Sequence, residues 1–197
     1  MNEQQQQQAA AAPGLQLVGD TCNNTSVGII VWGVRGLATL DLLILERRKY
    51  PPGFACPAGH VEPGESFEDA VRRELREETG IVVDGSLNLV AEGDRWNRCR
   101  RPNGSWHHWQ VYEVTIGEAQ RSTPQWNASE SKQIGWYDYA QTRQLAARTE
   151  QYLEKKLSEE SWLADPGLEA VWYHWLAGLK ILQFPANWNL YDRQRVR

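Results

Sequence analysis

Glu74, Glu77 and Glu78 stand at positions i, i+3 and i+4 of a segment that carries helix signals at both ends. Ser66 is a good N-cap with Asp69 three residues on. Glu65 and Glu68 favour the positive helix N-terminus, and Gly80 suits the left-handed position past the C-terminus. These signals predict a helix from Phe67 to Thr79. Taking about 100° per residue from Phe67, Ala70 falls at about 300°, Val71 at about 40° and Leu75 at about 80°, an apolar arc that should face a core. On the same wheel Glu74 falls at about 340° and Glu78 at about 20°, inside that arc, and Glu77 at about 280°, at its edge. Three carboxylates are thus aimed inward.

Carboxylates one turn apart repel, and each raises the other's pKa unless a positive charge sits between them. A divalent cation supplies that charge. Hard oxygen ligands select Mg²⁺ or Mn²⁺, and Mg²⁺ is commonly held by one or two carboxylates together with substrate phosphates. The plain alternative is a solvated acidic face paired with Arg72, Arg73 and Arg76. It would put the acids on the polar arc, opposite to where Glu74 and Glu78 fall.

A helix with an acidic inner face needs a sheet to lie on. Ser26 to Val34 and Ala38 to Leu45 are rich in Val, Ile and Leu around a turn region at Gly33 to Gly36, which reads as a hairpin. Strand-like stretches follow the helix at Leu87 to Ala91, Trp109 to Ile116 and Ile134 to Tyr137. The sheet is therefore expected to be mixed. In the C-terminal third, Asp165 and Pro166 suit an N-cap and first helical position. Val171, Trp172, Trp175, Leu176 and Leu179 then repeat at helical spacing, as a helix covering the sheet would.

The chain of 197 residues has a hydrophobic fraction of 41% and a formal net charge of -4. One globular domain is expected over residues 15–197, preceded by a disordered Gln- and Ala-rich tail over 1–14. The negative balance argues against a stable nucleic-acid partner or an anionic membrane surface, so a phosphate-bearing substrate needs local Arg or metal. There is no signal-like start and no run of about 18 apolar residues, and a cytoplasmic location is expected. A homodimer is admitted. Cys22, Cys56 and Cys99 are widely spaced with no C-x-x-C pair to suggest a zinc site.

From Gly59 to Ile81 the chain reads GHVEPGESFEDAVRRELREETGI, which resembles the Nudix box with every specified position filled. The resemblance implies the Nudix fold, an α/β (α+β) architecture in which a mixed β-sheet is sandwiched between helices, α/β/α. It implies a pyrophosphohydrolase that uses metal and water to cut a phosphoanhydride bond in a nucleoside diphosphate derivative. Glu74, Glu77 and Glu78 then look like metal ligands, joined by the Gly59 carbonyl, and Arg73 looks like the partner of Glu65 that orients the helix. Glu130, in a loop before a late strand, resembles a further catalytic and metal-binding Glu of the family. Glu74, Glu77 and Glu130 are candidates for the general base.

The box leaves the rest of the substrate open. Arg47, Arg48 and Lys49 precede it, and a second cluster contains Arg95, Trp96, Arg98, Arg100, Arg101, Trp106, His107, His108 and Trp109. Arg can grip phosphate and the rings can stack on a base, which makes Arg47, Arg48, Arg95, Arg98 and Trp106 the substrate-binding candidates. A hard-oxygen site argues against His107 and His108 as metal ligands. The segment His60 to Glu65 is similar to that of nucleoside-triphosphate pyrophosphohydrolases, and Pro57-Ala58-Gly59 to that of ADP-ribose and nucleotide-sugar pyrophosphatases. The reading leans slightly to a nucleoside triphosphate, with the second class as runner-up and a Nudix-fold nucleotide sensor or interaction module as the non-enzyme alternative.

Overall fold

The apolar run after residue 24 forms β1 (Thr25–Arg35), buried on both faces over most of its length, as befits a central strand. β2 (Thr39–Arg47) returns antiparallel beside it, with Trp32 opposite Leu42 and Arg35 opposite Thr39, so the expected hairpin is present. The computed structural model describes residues 19–36, 39–121 and 124–183, and the tail expected over 1–14 lies outside them. On the far side of β1, β6 (His107–Ile116) runs parallel and in turn pairs antiparallel with β5 (Asn88–Arg95). The short β3 (Phe54–Ala55) and β7 (Ser131–Tyr137) both pair with β2, and β4 (Ala58–His60) pairs with the start of β1. The main path through this mixed sheet is β3-β2-β1-β6-β5.

Alternation along the central strands sends side chains to two separate cores. On one face Val27, Ile29, Val31 and Leu43 meet Ala70, Val71 and Leu75 of α1 (Phe67–Thr79). Leu75 is fully buried there, a contribution of about 1.5–3 kcal/mol. The span, the Ser66 cap on the Asp69 N–H and the left-handed Gly80 at φ 70° all follow the helix signals. A short α2 (Glu118–Arg121) also lies against β1.

On the other face Ile30, Leu42, Ile44 and Val111 meet Ala146, Trp172 and Leu176. These come from α3 (Tyr139–Leu153) and α5 (Ala170–Gly178), with α4 (Glu159–Ala164) between them in the chain. Helices on both faces of one mixed sheet make the α/β/α sandwich. Among the described residues no helix is long and apolar enough to cross a membrane.

One boundary differs from the sequence expectation. Asp165 ends α4 and does not begin the Trp-rich helix, which starts at Ala170. The residues between are held extended: the Phe54 N–H donates to the Gly167 carbonyl and the Glu169 N–H to the Phe54 carbonyl, each at 2.8 Å. A Cβ on Gly167 would lie 2.3 Å from the Leu145 carbonyl oxygen. Pairing with β3 thus overrides the local helix-start signal.

Candidate metal and phosphate site

Arg73 is the hub that joins α1 to the strand before it. Its Nε and Nη2 form a fork on Glu65 at 2.8 and 2.9 Å, the bidentate geometry that suits guanidinium to carboxylate. Nη2 also donates to the His60 carbonyl at 2.8 Å, and Nη1 to Glu74 Oε1 at 2.7 Å. The hydrogen bond from Arg73 holds the Glu65 carboxyl below the usual range. The Arg73–Glu65 pair expected from the sequence is therefore formed.

Glu74 lies against Gly59, where a Cβ would meet Glu74 Oε1 at 1.8 Å. Glu78 Oε2 accepts the Ala58 N–H at 2.9 Å. Both glutamates of the inner arc thus reach β4. Burial raises the pKa of Glu74, opposed by Arg73. Burial, with the Glu74 charge adding to it, pushes Glu78 up to about 8. Glu77 differs from the inward expectation: its side chain is 55% exposed, in loose contact with Arg73 Nη1 at 3.4 Å. Its place at the edge of the arc lets it turn outward.

Around this pair basic and acidic groups are interleaved. Arg47, at the end of β2, favours the charged form of Glu78, and its Nε is buried with no hydrogen-bond partner. Glu130 adds to the upward push on Glu78 and forms an ion pair with Lys49. Of the other substrate-binding candidates, Arg98 lies near Tyr50, whose pKa burial raises and Arg98 opposes. Arg48 is turned to the Ala128 carbonyl at 2.9 Å. Arg95 stacks over the Trp175 ring at 4.2 Å, on the face covered by α5. Trp106 is 38% exposed, with its carbonyl tied to Asn24.

The sequence reading missed the Ala58 N–H, because a backbone donor has no residue-type signal. It also set aside the cysteines and His107 as ligands. Among the described residues, the ligand atoms that converge within 4.8 Å of one another belong to Cys22, His60, Cys99 and His107, a juxtaposition the sequence does not announce. The three glutamates of α1 are not in that group: Glu74 and Glu77 share Arg73 Nη1, and Glu78 takes the Ala58 N–H.

The NUDIX domain profile matches residues 23–158. Human NAD-capped RNA hydrolase NUDT12 is 52% identical over 50 residues, 25% of this chain and 11% of that protein. Nudix hydrolase 19, chloroplastic, of Arabidopsis thaliana is 32% identical over 136 residues, 66% of this chain and 31% of that protein. The ADP-ribose pyrophosphatase of Methanocaldococcus jannaschii is 41% identical over 58 residues, 27% of this chain and 34% of that protein. The matched stretches thus span about a third or less of these curated relatives. Among solved structures, a MutT/nudix family protein from Enterococcus faecalis superposes with TM-score 0.51 at 25% identity over 62% of this chain and 46% of its own. The MutT protein from Methanosarcina mazei shares the fold, with TM-score 0.52 at 18% identity over 82% and 97%.

Proposed function

The chain belongs to the NUDIX domain family, and on that premise we propose that it is a divalent-metal-dependent pyrophosphohydrolase acting on a nucleoside diphosphate joined to a further sugar or nucleoside. The observation that carries this reading is the pair of partly buried glutamates, Glu74 and Glu78, packed against Gly59 and Ala58. Two acids in a desolvated place are costly unless a cation joins them. The donor set fits Mg²⁺ or Mn²⁺: carboxylate oxygens of Glu74 and Glu78, with Glu77, Glu130 and the Gly59 carbonyl as further hard ligands. When bound, the ion neutralises charge on the diphosphate oxygens and acidifies the attacking water.

The protein's own groups divide the remaining work. Arg73 keeps Glu74 oriented, and the Ala58 N–H does the same for Glu78. The unpartnered Nε of Arg47 is suited to a phosphate oxygen. Glu77, half exposed, and Glu130 are the candidates for taking the water's proton.

The names of the relatives bear on the substrate. The compounds in the names of an NAD-capped RNA hydrolase and an ADP-ribose pyrophosphatase, NAD and ADP-ribose, both carry a diphosphate between two ribose units, which favours that class over the nucleoside triphosphate to which the sequence reading leans. The test is hydrolysis of ADP-ribose, NAD, a nucleotide sugar and a set of nucleoside triphosphates, with and without added Mg²⁺ or Mn²⁺. AMP released from ADP-ribose or NAD only with the added ion is the expected result. Faster turnover of a triphosphate would overturn the substrate class, and no turnover of any compound would favour a sensor or interaction module.

A further inference from the structure

Four soft or borderline ligands, none of them a glutamate of α1, meet about the loop that joins β5 to β6. Cys22 Sγ lies 3.2 Å from His107 Nε2, His60 Nε2 lies 3.2 Å from the same nitrogen, and the Cys22 and Cys99 sulfurs are 3.7 Å apart. All four ligand atoms fall within 4.8 Å of one another. For a tetrahedral zinc ion with bonds of about 2.3 Å to sulfur and about 2.05 Å to nitrogen, the S···S, N···N and S···N edges are about 3.8, about 3.3 and about 3.6 Å. The first two agree with the distances found and the third is slightly longer. We propose that Cys22, His60, Cys99 and His107 form a closed tetrahedral zinc site that pins the β5–β6 loop to the segment entering β1 and to the end of β4.

The surroundings of each ligand support a metal over a set of ordinary hydrogen bonds. His107 Nδ1 faces two acceptors, the Asn97 carbonyl and Asn97 Oδ1, each at 3.1 Å. Asn97 Oδ1 is identified as oxygen because it also receives the Trp109 indole N–H at 3.0 Å. The proton of His107 therefore sits on Nδ1, and Nε2 turns its lone pair inward, the usual arrangement behind a ligating imidazole. One lone pair cannot serve both Cys22 and His60 well as donors, whereas a cation between them satisfies all three.

Each sulfur in turn accepts a backbone N–H, Cys22 from Asn24 and Cys99 from Arg101, both at 3.3 Å. Donors aimed at sulfur suit thiolates, and two thiolates with two neutral imidazoles match the charge and softness that Zn²⁺ prefers. Binding Zn²⁺ to the two thiols would release two protons and leave no open position, so the role is structural and not catalytic. Cys22, Cys99 and His107 are 5%, 9% and 0% exposed. Gly104 is required by the same packing, since a Cβ there would lie 2.1 Å from Cys99 Sγ. The site also borders the catalytic region: the carbonyl of His60 holds Arg73, and Gly59 precedes it.

The full chain, purified under reducing conditions, is assayed for metal by inductively coupled plasma mass spectrometry and then exchanged with Co²⁺. One zinc per chain is expected, and the Co²⁺ form should show tetrahedral ligand-field bands with thiolate charge-transfer absorption. Cys99→Ser and Cys22→Ser should lose that absorption, whereas Glu78→Gln should keep it, which separates this site from the carboxylate site. Absence of zinc together with no stoichiometric Co²⁺ uptake by the reduced wild-type chain would overturn the proposal, whatever the variants do. A Cys22–Cys99 disulfide in freshly isolated protein would overturn it too.

Discussion

Gly59 and Glu74 leave each other no spare room: a Cβ added to Gly59 would sit 1.8 Å from Glu74 Oε1. The glutamate is thereby confined between β4 and the Arg73 guanidinium. Gly59→Ala should displace the Glu74 carboxylate and break its contact with Arg73 while leaving both cores intact. A 10- to 100-fold fall in turnover or Mg²⁺ affinity is expected, roughly the cost of losing a group that orients a metal ligand. Wild-type values of both would show that the close approach has no bearing on the site.

Arg73 donates to four residues, in β4, in α1 and in the segment between them, so its loss should be felt in stability and in activity. Arg73→Lys keeps the charge but cannot reproduce the fork on Glu65. Denaturant unfolding should show a loss of about 1.5–3 kcal/mol, the range for hydrogen bonds to charged groups. Turnover should fall as well because Glu74 loses its anchor. A fully active and fully stable Lys variant would make the fork dispensable.

The partly buried Glu78 gives the protein a pH signature in the absence of added Mg²⁺. Its carboxyl is raised from the ordinary 4.5 to about 8, so between these values the native state keeps a proton that the unfolded chain has lost. Its contribution is therefore fully present below about 4.5 and is lost as pH rises through about 8. Urea midpoints should decline across this window for the wild type and decline less for Glu78→Gln. Added Mg²⁺ should flatten the wild-type slope by favouring the ionised acid. Parallel slopes for the two proteins would contradict the assignment.

Arg47 combines an unpartnered buried Nε with an electrostatic influence on Glu78. If it binds a phosphate oxygen away from the scissile bond, Arg47→Ala should raise KM about tenfold or more and lower kcat by less. An unchanged KM on the best substrate would remove it from the binding site.

What could be foreseen from the sequence was local. The span of α1, its caps and its inward glutamates follow from apolar spacing and from residues within a few positions of one another. Glu77 was the marginal case on the wheel and proves exposed. The start of α5 departs from its sequence signal because the decisive contact, Phe54 with Leu168, joins positions far apart in the chain. The Cys and His set was invisible for the same reason: its observed contacts join residues 85, 77 and 47 positions apart. No short motif records such a meeting, which only the sheet pairing of β1, β4 and β6 brings about. Of the Arg and Trp residues grouped in the sequence around the β5–β6 loop, Arg95 and Trp109 pack on Trp175 and Trp172 of α5, whereas Arg101 pairs with Glu62.

The central claim, that the inner glutamates of α1 hold the metal for phosphoanhydride hydrolysis, is tested most directly by Glu78→Gln, assayed for turnover of ADP-ribose and for melting temperature with and without Mg²⁺. The substitution keeps size and removes one charge, so the fold should survive. Turnover at saturating Mg²⁺ should fall by about two to four orders of magnitude, and the Mg²⁺-induced rise in melting temperature should shrink. Near-wild-type turnover with an undiminished response to Mg²⁺ would contradict the account.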